Sequence, residues 1–409
     1  MKLKCKPEDF RVEERSSFAI GGGAFAVYEL TKRSIGTPEA IDAIAGRWKL
    51  RRERVSFGGM KDRHAETTQH VTVHHGPKRG LKQNNIELRY LGQSQRHFAP
   101  ADIDANRFTI VLRDMSDSAV ERAVTALREA ETYGFPNYFD DQRFGSVGES
   151  GEFIAKSWCL GDYERALWLT IADANEHDRP DDRQRKKALR DNWGNWPKAA
   201  SLVAKSPVAP LVAYLADRPG DFRGAFSRVR PDMRDLYLAA FQSFIWNRML
   251  SLLIVDLVAA DKVVEVKFDH DTLVFQRELT PGQRQDFKDL LLPLPSARAR
   301  LDSERDAGLA DRVLKGIGME LKQLKTKAPR DVYFSRGNRP AFIFPEGVAH
   351  EVRGDDMHPG RRSLTLRLDL PRGAYATILV KRITNVAAEM ETKTVTAGAS
   401  EKGAPGRGG

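Results

Sequence analysis

The sequence predicts an α+β protein: a mainly antiparallel sheet flanked by helices and split by an inserted α/β domain. Three observations carry this expectation. Strand-like and helix-like segments mix without a regular βαβ rhythm, strand-rich stretches lie toward both ends of the 409 residues, and the middle third is polar and proline-interrupted. That distribution suits two halves of one core meeting in space around an insertion. The expected limits are residues 1–154 and 311–390 for the discontinuous domain and 155–310 for the insertion. Residues 391–409 read as a disordered tail, too rich in Gly, Ala, Ser and charge to bury an apolar face.

The elements follow in order. Phe25 to Thr31 reads as a strand with Ala26, Tyr28 and Leu30 on one face. Thr37 is expected to N-cap a helix through Ala45, with Pro38 at its first position, Glu39 in its first turn and Gly46 as its stop. His70 to His75 and Phe108 to Leu112 are rich in β-branched residues and read as strands. Ser116 or Asp117 caps a helix reaching Tyr133, which Gly134 and Pro136 end. The longest periodic segment is Met233 to Ala260, where Leu238, Phe241, Ile245, Met249 and Leu252 keep helical spacing. Ser363 to Leu370 and Tyr375 to Val380 read as two strands around a turn at Pro371 to Gly373.

Composition bounds the function. Sixty-six Lys and Arg against 56 Asp and Glu give a net charge of +10, and 41% of residues are hydrophobic, ample for two or three cores. No apolar run approaches the roughly 18–20 residues of a spanning helix, so no membrane association is expected. The opening MKLKCKPEDFRVEE has no apolar stretch of the kind a secretory leader needs. Cys5 and Cys159 stand far apart without a CxxC, which argues against a disulfide scaffold or a cysteine zinc site. The expectation is a soluble, cytoplasmic, monomeric protein with a polyanionic partner. Basic clusters recur at Lys49 to Arg54, at Arg183 to Arg190 (with Arg183, Arg185, Lys186 and Lys187), and at Lys315 to Lys327. Each fits a solvated helix face as well as a contact to RNA.

Three stretches look chemical. Gly58 to Gln69 (GGMKDRHAETTQ) pairs two glycines, which let the backbone turn sharply, with a carboxylate, Asp62, flanked by Lys61 and Arg63. Nearby cations favour an ionised carboxylate, the form a nucleophile needs, though a polar loop with local ion pairs has the same composition. Asn106 and Phe108 open a strand, where the ring suits either a core or a stacking platform for a base. Gly134 to Gly145 packs four aromatic rings, two amides and Arg143 into one turn-rich segment.

In this order these stretches resemble the TruD family of tRNA pseudouridine synthases. The likeness spans KxxPEDFxVxE at Lys4 to Glu14, GxKDxxAxTxQ at Gly59 to Gln69, Asn106-x-Phe108 and PNYFxxQRFG at Pro136 to Gly145. It continues through AxxSxxxN at Ala240 to Asn247 and LPxGxxAT at Leu370 to Thr377. The resemblance implies a pseudouridine synthase core carrying a TRUD-type insertion, with tRNA as partner and RNA in a basic cleft. It implies isomerisation of a specific uridine, typically uridine 13 in the D arm. By the same resemblance Asp62 is the catalytic nucleophile and Lys4 its ion-pair partner in a buried pocket. Phe108 is the ring stacking on the uracil, and Asn106, Gln69, Asn137 and Arg143 contact substrate. Lys61, Arg63, Arg183, Arg185, Lys186 and Lys187 are RNA-binding candidates. Two positions depart from the family pattern, Ala105 and Asp140, where glycine is frequent; Asp tolerates left-handed backbone. The reaction exchanges no electrons, so no cofactor and no metal are implied.

Three rivals are weaker, the first being a structural or scaffolding protein, which explains the charge but none of the motifs. A non-catalytic RNA-binding protein has no need of Asp62. A metal hydrolase would draw on His70, His74, His75, Asp355, Asp356 and His358, but along His70 to His75 only positions 70 and 74 face one way.

Overall fold

The computed structural model describes residues 1–301 and 303–384, so the expected tail at 391–409 lies outside the described residues. The chain divides into two compact units, one formed by the segments on either side of 136–342 and the other by Pro136–Phe342. These limits differ from the expected 155 and 310. Residues 137–139 and 339–341 hold to the second unit: Tyr138 donates to Val274 O at 2.6 Å, Phe139 N–H donates to Asn247 Oδ1 at 2.8 Å, and Arg339 Nη2 bonds Asn137 Oδ1 at 2.6 Å.

The first unit is built on one ten-stranded sheet. Its strands are β1 (Lys2–Leu3), β2 (Phe10–Arg15), β3 (Phe25–Arg33), β4 (Val55–Phe57), β5 (Glu66–His74), β6 (Leu81–Gln83), β7 (Ile86–Ser94), β8 (Ala105–Met115), β9 (Glu346–Gly354) and β10 (Arg362–Pro371). They run in the order β9-β10-β8-β2-β5-β3-β7-β6, with β1 pairing β8 and β4 pairing β5. Pairing is antiparallel except between β2 and β5. Cross-strand partners share a face, so Val12 opposite Phe108, and Glu14 opposite Asn106, put these four on one side of the sheet.

Helix α1 (Thr37–Trp48) covers part of the sheet, burying Ala40, Ile41 and Ile44 against Tyr28, Leu30, Val71 and Leu88. Its N-cap is Gly36, not Thr37, and it runs through Gly46 to a left-handed Lys49. Thr37 is diverted from capping because its hydroxyl is used elsewhere. Helix α2 (Asp117–Tyr133) starts at Ser116, whose side chain accepts from Ala119 N–H. The expected strand at Tyr375 to Val380 is instead helix from 376 to the end of the described residues. Ala376, Leu379, Val380 and Ile383 are buried at helical spacing, a period that six residues cannot reveal.

The second unit is mainly helical, packed on α3 (Pro231–Leu257), with small two-stranded sheets such as Val263–Lys267 with Thr272–Gln276. Leu238, Phe241, Ile245 and Met249 are all buried, while Leu252 is only partly so. Contrary to the sequence expectation, α3 is long and apolar enough by length and composition to cross a membrane. Within the fold, 78% of that apolar window is buried.

Candidate active site

Residues 58–65, between β4 and β5, carry Asp62 over the sheet. Gly58 is required by closeness: a Cβ there would lie 2.7 Å from Ile103 Cδ1 and 2.8 Å from Phe98 Cε1. Neither Gly58 nor Gly59 has positive φ, so a sharp left-handed turn is not the reason for them. The Thr37 hydroxyl donates to Gln69 Oε1 at 3.1 Å and accepts the Lys61 N–H at 3.0 Å. Gln69 Nε2 then donates to Gly59 O at 3.1 Å. Gln69 is fully buried with both amide ends engaged, so the structure places it as a loop anchor rather than a substrate contact.

Beneath the loop lies Lys32, fully buried at the end of β3. Its ammonium donates to Ile35 O and Asp62 O at 2.8 Å each and to Lys61 O at 3.3 Å. Burial pushes this ammonium down to about 8, partly opposed by the Asp62 carboxylate, while Lys61 and Arg63 add to the lowering. The sequence reading missed Lys32. A signal was there: it continues the buried phase of Ala26, Tyr28 and Leu30, where a lysine has no ordinary place.

Lys4 follows β1 in left-handed conformation, φ 58°. Its Nζ lies 3.0 Å from Asp62 Oδ2 and 4.1 Å from the centroid of the Phe10 ring. The two side chains are 26% and 32% exposed, so the pair is part-buried instead of sealed in a pocket. Among the described residues no other side chain bonds the carboxylate, which leaves Oδ1 uncommitted. Phe10 meets Phe108 edge to face, centroids 6.1 Å apart, and Phe108 is only 8% exposed.

Lys61 and Arg63 point elsewhere. Lys61 Nζ is 3.0 Å from Glu14 Oε2 and 2.5 Å from Asn106 Oδ1, and is nearly buried, which removes it as a surface RNA contact. Arg63 is exposed and pairs with Glu39. Glu14, also missed, accepts from His70 N–H at 2.8 Å. Burial would raise its carboxyl, but the bonds from His70 and the Lys61 ammonium outweigh that and hold it below its ordinary value. It continues the buried phase of Phe10 and Val12 along β2. Contacts thus join Asp62 and Lys4 to Phe108 through Phe10, and separately join Lys61 to Asn106 and Glu14.

The remaining expected residues lie in the second unit. Asn137 is buried, donating to Pro340 O at 2.9 Å and accepting from Arg339, so its amide is structural. Arg143 donates to Ser243 Oγ at 3.4 Å. Asp140 has φ −82° and ψ 162°, extended backbone that asks for no glycine. In the first unit, Ala105 sits in regular pairing with Arg15 and Pro371. The Arg183 to Arg190 cluster lies on the helix Pro180–Asp191 and is largely paired internally. Lys186 bonds Asp178 at 2.8 Å, Arg185 bonds Asp182 at 2.6 Å, Lys187 bonds Asp191 at 2.5 Å, and Arg183 donates to Glu176 O at 3.0 Å. The residues considered for a metal do not assemble. His70 belongs to Glu14, His358 and Asp355 belong to the Arg113 cluster, and among the described residues no group of three His, Cys, Asp or Glu could hold an ion.

Similarity to known proteins agrees with this architecture. A protein 30% identical over 392 residues, covering 93% of this chain and 91% of its own length, is a probable tRNA pseudouridine synthase D 2 of Methanocaldococcus jannaschii. The tRNA pseudouridine synthase D of Aquifex aeolicus is 29% identical, with 94% and 98% covered. The crystal structure of a putative tRNA pseudouridine synthase D from Methanosarcina mazei superposes with a TM-score of 0.72 at 22% identity, over 94% of this chain and 93% of that one, and so shares the fold. The family model for tRNA pseudouridine synthase D (TruD) matches residues 1–383, and this chain belongs to that family.

Proposed function

We propose that this chain converts one uridine of a transfer RNA, uridine 13 of the D arm, to pseudouridine, with Asp62 as nucleophile and no cofactor. The observation that carries the reading is the Lys4–Asp62 pair at 3.0 Å with one carboxylate oxygen uncommitted. The reaction breaks the C1′–N1 bond, turns the uracil, joins C5 to C1′ and moves the C5 proton to N1. Whether Asp62 attacks C1′ or C6, or removes a 2′ proton, each route runs through its ionised form. The Lys4 ammonium stabilises that form, and Lys32 fixes the backbone that presents it. Phe108 is the stacking surface for the flipped base. A base taken out of folded RNA costs a few kcal/mol, and stacking returns about 1–3 kcal/mol. The protein acts as a cytoplasmic monomer, away from membranes.

Asp62→Asn should still bind tRNA but lose isomerisation, measured as tritium release from 5-tritiated uridine. Substantial residual turnover would sink the assignment. Mapping pseudouridines in cellular RNA with and without the protein tests the target position; loss at any site but 13 would move it.

A further inference from the structure

One cavity of about 460 Å³ in the second unit is lined by six cations and no carboxylate. Its walls come from residues 296–298, 322–327 and 330–336. Three of the cations have local partners: Lys322 pairs with Glu320 at 2.6 Å, Lys327 Nζ donates to Leu160 O at 2.9 Å, and Arg330 Nε donates to Lys327 O at 3.0 Å. Arg298, Lys325 and Arg336 have no carboxylate partner among the described residues and are exposed. Asp331, the one acidic residue between 322 and 336, is engaged by the buried Arg234.

Two further features point to a ligand. Ser296, 4% exposed, lines the cavity with an Oγ that no group among the described residues satisfies. Tyr333, 63% exposed, offers a ring at the same walls. The walls are also fixed before any ligand arrives. Gln242 of α3 donates to Pro295 O at 3.0 Å and Ser335 O at 2.8 Å, gripping both sides, and Trp158 Nε1 holds Ala328 O at 2.7 Å.

A preformed hollow whose lining, among the described residues, holds six cations and no carboxylate selects an anion. Unpaired cations from three separate segments suit phosphates spaced along a chain better than one small ion. An exposed aromatic beside them suits a base. We propose that this cavity is an RNA-backbone site, holding phosphates of the tRNA through Arg298, Lys325 and Arg336 with one base against Tyr333. It lies in the unit that does not carry Asp62, and it rests on the reading of tRNA as substrate.

The test uses the full chain and an unmodified tRNA transcript, with affinity measured against KCl concentration and turnover by tritium release. In the triple variant Arg298→Gln, Lys325→Gln and Arg336→Gln the log–log salt slope should shrink by about 2–3. The set Arg298→Lys, Lys325→Arg and Arg336→Lys should restore it, and Tyr333→Ala should weaken binding roughly tenfold. An unchanged slope in the triple variant overturns the proposal, as does failure of the charge-preserving set to restore binding. Calorimetric binding of inorganic pyrophosphate to wild type but not to the triple variant, with an unaltered RNA slope, would make the cavity a small-anion site and overturn it as well. A wild-type chain that binds RNA with the predicted slope change yet forms no pseudouridine leaves the cavity standing and removes the catalytic reading.

Discussion

Lys32 destabilises the fold and organises the site at once. Its ammonium titrates near 8 in the folded chain against an ordinary 10.5, so between those values the unfolded chain holds the extra proton. Below pH 8 both states are charged and the burial cost is complete; as pH climbs toward 10.5 the folded state gains on the unfolded one. Wild type should therefore gain thermal stability relative to Lys32→Met between pH 7.5 and 9.5, by on the order of 2 kcal/mol. Parallel pH profiles for the two would show that no buried ammonium titrates there. Phe108 poses a different question, since a ring 8% exposed and edge-on to Phe10 could be core alone. Phe108→Leu keeps most of the apolar volume and should cost about 1–2 kcal/mol of stability. Loss of the ring should lower turnover roughly tenfold or more. Turnover within twofold of wild type would leave Phe108 a packing residue.

At the scale of elements, the loop at 58–65 and the helix Pro180–Asp191 show what a sequence pattern conveys and withholds. Charge along the chain singled out Asp62 between Lys61 and Arg63, while Lys4 came only from the family resemblance; the structure pairs Lys4 with Asp62 at 3.0 Å. The motif block could not tell a substrate amide from an anchor: Gln69 and Asn137 are spent on Gly59, Thr37, Pro340 and Arg339, partners distant in sequence or unmarked by charge. Strands β3, β5 and β8 were legible from their β-branched alternation, whereas the helix from 376 was hidden by the shortness of its readable window. Thr37→Val removes a hydroxyl that serves two bonds and should destabilise by about 1–3 kcal/mol, seen in thermal melts, with turnover falling too. A turnover unchanged by that substitution would separate the anchor from catalysis. The helix Pro180–Asp191 gives the opposite expectation to its composition. Its cations already face Asp178, Asp182 and Asp191. Converting Arg183, Arg185, Lys186 and Lys187 to Gln should change the tRNA salt slope by less than about 1; a larger change would mean that these pairs open for RNA.

For the molecule as a whole, the net charge of +10 is a poor guide to any one binding surface, since many of its cations are neutralised close by. Arg298, Lys325 and Arg336 belong to the exposed cations that have no carboxylate partner among the described residues, and they are gathered on one cavity. The second unit is also one continuous stretch with its own core around α3. Residues 136–342 expressed alone should unfold cooperatively on heating; a gradual, non-cooperative melt would show that this core is not self-sufficient. Asn137 N–H donates to Ala341 O at 2.8 Å, so that stretch leaves its own fold beside the place where it enters. In the first unit Gly134 likewise approaches Ile343 O so closely that a Cβ would lie 2.8 Å from it. A chain tied through so narrow a doorway places few demands on its host: doubling the length of an excursion adds only about 0.6 kcal/mol of closure cost. Residues 136–342 can then be lengthened, trimmed or recharged while Lys4 and Asp62, both carried by the other unit, stay untouched.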